Sequence, residues 1–306
     1  MGPPLTKPPK GVAKSIVENQ FFPRTITVHA GDRVRWTFHG LHTATFLGGA
    51  KRVPWTAELT GEAVSGFDDA AGAPFWFNGQ PVPGFNGTAA ARGVRSSGLP
   101  LESRPRPYVR RFTRVGTYRY VCLVHPDTMR GIVRVVPRGR PIPRPAVRRQ
   151  LARANAEAKH VHRGPARRPR NTIYAGNGTA DGIDDLRFFP SRITVRAGIT
   201  LTLRVAPGTE EPHTFTFGPA ATLRGLANGF LGATIDPVGW YRSDPAQPLA
   251  VTPTAHGNGF VNTGFLDHDG LTPQPSRATV RLDQPGTYTF ICLIHGPAMR
   301  GTITVT

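Results

Sequence analysis

The sequence predicts an all-β protein of two tandem Greek-key β-sandwich domains joined by a basic, partly helical linker. Three observations carry that prediction: a repeat that runs the length of the chain, alternating β-branched segments inside each copy, and an abundance of turn formers. The 306 residues give room for two ordinary domains. Each half is long enough to bury its own core, so neither metal nor disulfide is needed merely to fold. Gly (35) and Pro (31) together favour many short strands over long helices.

The repeat decides the architecture. FFPRTITVHAG at 21–31 recurs as FFPSRITVRAG at 188–198, and LHTATF at 41–46 recurs as PHTFTF at 212–217. GTYRYVCLVH at 116–125 recurs as GTYTFICLIH at 286–295, and MRG at 129–131 recurs at 299–301. Order is kept and the offsets stay between 167 and 171, so this is duplication of a whole domain rather than a short solenoid unit. The domains are placed at 1–137, with an N-terminal extension, and at 171–306.

Within each copy, residues 25–29 and 192–196 alternate before a Gly turn, and 33–38 and 200–205 alternate next. Residues 117–121 and 287–291 lead into the cysteines, and 132–136 and 302–306 close each half. Period-two alternation bounded by Gly and Pro is the strand signature, and two packed antiparallel sheets suit such strands. Gly131 and Gly301 are read as releasing the chain into the last strand. The stretches 48–107 and 218–275 are read as long Gly/Pro-rich loops.

The linker, 138–170, is basic. It holds 11 Lys or Arg against one acidic residue, while 171–306 is close to neutral and the whole chain carries +19. Residues 146–160 are rich in Ala, Arg, Leu and Gln and predict a helix. No aromatic residues interleave with the basic ones, so specific nucleic-acid binding is not expected. The linker is read first as a solvated tether; its charge would also suit docking of acidic redox partners, which opposite charge would speed. No run of 18 apolar residues exists, so no membrane span is expected. Residues 1–10 contain no apolar core of signal-peptide length.

The chemistry lies in a duplicated ligand set. The first half has His42, then Cys122, His125 and Met129; the second has His213, then Cys292, His295 and Met299. Each is a distant His followed by Cys-x2-His-x3-Met. Imidazole suits oxidised copper, while thiolate and thioether suit the reduced ion; two His and one Cys with a long axial Met make a blue-copper site. The two cysteines are the only ones in the chain, and both internal methionines fall at the axial position. Inert core thiols would not come with His and Met at ligand spacing. A mutual disulfide would forfeit both sites. His29, His39, His256 and His268 have no counterpart in the other copy and are read as surface or hydrogen-bonded residues, and His160 and His162 as solvated.

These ligand loops resemble the cupredoxins, the family of plastocyanin, azurin and pseudoazurin. The resemblance covers both halves and extends to the Phe-x-Pro…Gly entry strands and the Gly-Thr-Tyr lead-in. It implies two type 1 copper ions per chain and electron transfer to redox partner proteins, through the exposed edge of His125 or His295. It also implies a periplasmic or extracellular location. The family often has Asn after the first His, tying the two ligand loops together; here Thr43 and Thr214 follow, and their hydroxyls are expected to keep the tie. A two-domain nitrite reductase or small multicopper oxidase would need His beside the ligand Cys. The flanks are Val121 and Leu123, and Ile291 and Leu293, so no enzyme is expected. Copper capture or delivery is the remaining alternative, but the Met-rich or Cys-rich clusters usual for it are absent from the sequence.

Overall fold

The computed structural model describes residues 13–40, 42–49, 66–68, 74–77, 93–98, 106–230, 249–250, 260–268 and 275–306. His256 and most of 48–107 and 231–275 lie outside the described residues. The chain forms two compact units, one of Glu18–Glu157 and one of Ala158–Thr306 joined by residues 13–17. Among the described residues no helix is long and apolar enough to cross a membrane.

In the first unit Thr25–His29 runs parallel to Arg130–Val136, which pairs antiparallel with Gly116–Val121. Thr45 bridges Val121 through N–H···O bonds of 2.9 and 3.0 Å, which brings the segment after His42 alongside the cysteine. Arg33–Trp36 pairs antiparallel with Tyr108–Arg111. Its alternation is strict: Val34 and Trp36 are buried, and Arg33 and Arg35 face water. Trp36, Phe46, Phe112 and Tyr120 pack with Val28, Val133 and Val135 into one core spanning both sheets. Each such side chain stabilises the sandwich by about 1.5–3 kcal/mol when fully buried.

The second unit holds two five-stranded sheets. One runs Arg192–Val195, Gly296–Val305, Gly286–Cys292, Thr216–Phe217, Val261–Asn262. The other runs Phe188–Phe189, Thr172–Ala175, Ile199–Val205, Arg277–Leu282, Leu249–Ala250. The core repeats that of the first unit: Phe188 meets Phe290 edge-on at 4.7 Å, as Phe21 meets Tyr120 at 4.6 Å. Non-consecutive strands lie side by side in both sheets, as a Greek key requires. Both units are thus the β-sandwiches that the alternation predicts.

Two details differ from the sequence reading. A helix, Ala220–Phe230, rests against Gly286–Cys292 and Gly296–Val305, in a stretch read as loop. Leu223 anchors it in the core, and its N–H bonds the Pro219 carbonyl at 3.0 Å. Gly225 and Gly229 masked this helix in the sequence. Second, Gly131 and Gly301 do more than free the chain: a Cβ on either would strike the ring of Tyr120 or Phe290 across the ladder.

The linker helix forms over Val147–Val161. In the first unit Gln150 Oε1 accepts the Arg24 N–H at 2.9 Å, and Gln150 Nε2 donates to the Phe21 carbonyl at 2.8 Å. In the second unit Ala158 and Val161 are buried, and the Val161 carbonyl accepts from Asn177 Nδ2 at 2.6 Å. His162 is exposed, as expected, and its Nδ1 lies 2.9 Å from the buried carboxylate of Asp185, which Arg187 also holds. His39, His160 and His268 are exposed, and His29 Nε2 lies 2.9 Å from the Arg140 carbonyl.

Candidate metal centres

Each cysteine sits where a strand leaves its ladder. In the second unit the register shifts between Ile291 and Cys292, and Cys292 opposes Gly296 across the turn. In the first, the Cys122 N–H donates to the Met129 carbonyl at 2.9 Å, and the Met129 N–H to the His125 carbonyl at 3.0 Å. In the first half the Cys-x2-His-x3-Met spacing is therefore one closed turn on a short backbone; in the second, the turn spans Leu293–His295 and Met299 already lies in the closing strand Gly296–Val305.

That turn meets the distant histidine. Cys122 Sγ lies 3.8 Å from His42 Nδ1 and 3.7 Å from His125 Nδ1. Cys292 Sγ lies 3.7 Å from His213 Nδ1 and 3.3 Å from His295 Nδ1. In each half the three donor atoms fall within 4.8 Å of one another. Met129 is buried in the same apolar cluster as Cys122, and Met299 is buried at 1% exposure. Both cysteines are free and fully buried.

The donors fit a metal ion. A first-row ion about 2.3 Å from sulfur and about 2.0 Å from nitrogen, at a trigonal angle, sets the two donors about 3.7 Å apart. The four observed sulfur–nitrogen distances scatter around that value. Electrostatics agree. Burial opposes ionisation of Cys122 and Cys292, but the facing imidazoles outweigh it and hold both thiols well below their usual range. Burial lowers His42 and His213, favouring neutral rings with a free lone pair. His213 Nε2 has no hydrogen-bond partner among the described residues.

A second layer of bonds repeats in both halves. Thr43 Oγ1 accepts the Leu123 N–H at 2.8 Å, and Thr214 Oγ1 accepts the Leu293 N–H at 2.9 Å. The Thr43 and Thr214 N–H groups each point at the cysteine sulfur of their own half, at 3.4 Å. The expected tie between ligand loops is present, with Thr in place of Asn. It runs deeper than the sequence reading foresaw. Thr43 contacts Thr45, which contacts Ser96; Thr214 contacts Thr216, which donates to Asn262. Ser97 Oγ and Thr263 Oγ1 accept the N–H groups of Ala44 and Phe215. The signal was faint: Ser97-Gly98 and Thr263-Gly264 are equivalent pairs separated by 166 residues of otherwise unlike sequence.

Two features depart from the sequence reading. The second histidines do not offer an exposed edge: His125 is 2% and His295 8% exposed. In the second half Glu211 Oε2 also lies 3.5 Å from His295 Nε2. Burial works against protonation of His295, but Cys292 and Glu211 prevail and raise it to about 9.

No protein-family model and no curated protein matches the chain. Solved structures do. Plastocyanin from Dryopteris crassirhizoma is 24% identical and aligns over 44% of this chain and 99% of its own, with a TM-score of 0.25. Auracyanin A from Chloroflexus aurantiacus is 22% identical over 44% of this chain and 96% of its own, with a TM-score of 0.27. A purple cupredoxin from Nitrosopumilus maritimus is 18% identical over 44% and 98%, with a TM-score of 0.24. The chain is similar to these proteins in the family that its ligand loops resemble.

Proposed function

We propose that this chain is a copper-binding electron carrier with one mononuclear type 1 centre in each half. His42, Cys122, His125 and Met129 would hold the first ion; His213, Cys292, His295 and Met299 would hold the second. The observation that carries this reading is the duplicated cluster of one buried, ionisable thiol between two imidazole Nδ1 atoms. Bound copper would supply a one-electron couple, because thiolate and thioether favour the reduced ion and imidazole the oxidised one. The chain's own residues do the rest. The Thr43 and Thr214 ties hold the ligand loops in one geometry, so little rearrangement accompanies electron transfer. The aromatic cores behind Cys122 and Cys292 keep water from the sulfur.

The flanks of both cysteines lack the His that would wire a second copper, which favours a carrier over an oxidase or nitrite reductase. With its charge of +19, the chain suits acidic redox partners. Work outside the cytoplasm follows from the family resemblance. Reconstitution tests the proposal. Copper loading should give an intense visible thiolate-to-copper band, a type 1 paramagnetic spectrum and two coppers per chain. Cys122→Ser should halve both the band and the stoichiometry. A colourless copper-loaded chain would refute the proposal.

A further inference from the structure

The two centres are built from the same ligands but are not alike. Glu211 occurs in the second half two residues before His213, and the equivalent position in the first half is Gly40. The Glu211 N–H donates to the buried Thr209 Oγ1 at 3.2 Å, which fixes the backbone, and the carboxylate reaches within 3.5 Å of His295 Nε2. The opposite edge of the same ring, Nδ1, lies 3.3 Å from Cys292 Sγ. His295 is thus held between a carboxylate and a thiolate, with its metal-facing nitrogen directed by the group behind it. Gly40 has φ +116°, a conformation that L side chains rarely adopt, so the first half cannot readily carry a carboxylate at that position.

We propose that Glu211 is a positioning residue that lowers the reduction potential of the second centre. The inference rests on the copper reading above. A carboxylate behind a ligating histidine fixes its tautomer and raises its donor strength. It also places negative charge near the ion, which favours the oxidised state because that state carries one more positive charge. Reduction takes one electron from a one-electron reductant, which is oxidised in turn. No bond to the protein forms or breaks, and the Nε2 proton stays on the ring.

The test uses the full chain. Potentiometric titration of the copper-loaded protein follows the two one-electron reductions. Glu211→Gln keeps the side-chain size and removes the charge. It should raise the potential of one centre only, increasing that centre's reduced-to-oxidised ratio at fixed potential at least tenfold, or about 59 mV. Glu211→Asp keeps the charge and should leave that potential close to its unsubstituted value. Zinc competition on the metal-free chain gives a readout independent of redox chemistry: Glu211→Gln should weaken one of two zinc sites about 10- to 100-fold and leave the other unchanged. A coloured chain whose steps both ignore Glu211→Gln, with zinc constants unchanged within twofold, would overturn the role of Glu211 alone. A chain that takes up no copper would overturn the copper reading and this inference with it.

Discussion

Replacing Thr214 by Val isolates the tie between the two ligand loops. Val keeps nearly the same shape but removes the hydroxyl that accepts the Leu293 N–H at 2.9 Å. Thr214 is wholly buried and Leu293 nearly so, so water cannot replace the lost acceptor. An orphaned buried donor costs about 1–3 kcal/mol. Thr216 keeps Asn262 as a partner, so the loss does not spread along the chain of hydroxyls. Urea unfolding of the metal-free chain, followed by circular dichroism, reads the cost. At a slope of about 2 kcal/mol per molar, the midpoint of the affected transition should fall by about 0.5–1.5 M. Thr214→Ser keeps the hydroxyl and should recover most of the loss. Thr43→Val removes the equivalent 2.8 Å bond to Leu123 and should cost a similar amount. If Thr214→Val unfolds at the same urea concentration as Thr214→Ser, the hydroxyl does not tie the loops and the reasoning is wrong.

Gly301→Ala and Gly131→Ala should each destabilise by about 1–3 kcal/mol, because the new methyl overpacks against the buried ring of Phe290 or Tyr120; thermal unfolding unchanged by either would contradict this packing. The metal-free chain should also show a defined pH window. Folding lowers the thiol pKa of Cys122 and Cys292, so their stabilising contribution is complete above the unfolded value near 8.5 and lost as pH falls through the folded one. Folding raises His295, so its contribution is complete below about 6.5 and lost as pH rises through about 9. Thiolate ultraviolet absorbance at neutral pH should therefore be strong in the folded chain and weak in urea; equal absorbance in both would sink the reading.

Much of this was legible in the sequence because it is local or repeated. Alternation in 33–36 and 200–205 reports a half-buried strand directly, and the residues between Cys122 and Met129 form one turn whose length is written in the chain. The helix at Ala220–Phe230 was not legible, because its Gly residues look like loop while its stability comes from Leu223 in the core. The buried edges of His125 and His295 were hidden for a related reason: burial depends on what distant segments lay over a ring. The Asp185 carboxylate beside the exposed His162 was not legible either, because it lies 23 residues away and belongs to no recognisable motif.

By itself, then, the sequence determined the duplication, the strands and the order of ligands in each half. Those properties are carried by short segments and by comparison of one copy with the other. Only the tertiary structure decided what surrounds each ligand set: the hydroxyl chain through Ser96 and Asn262, the burial of both second histidines, and the carboxylate of Glu211 behind one of them. These are contacts between segments brought together by folding, and side-chain spacing along the chain carries no record of them.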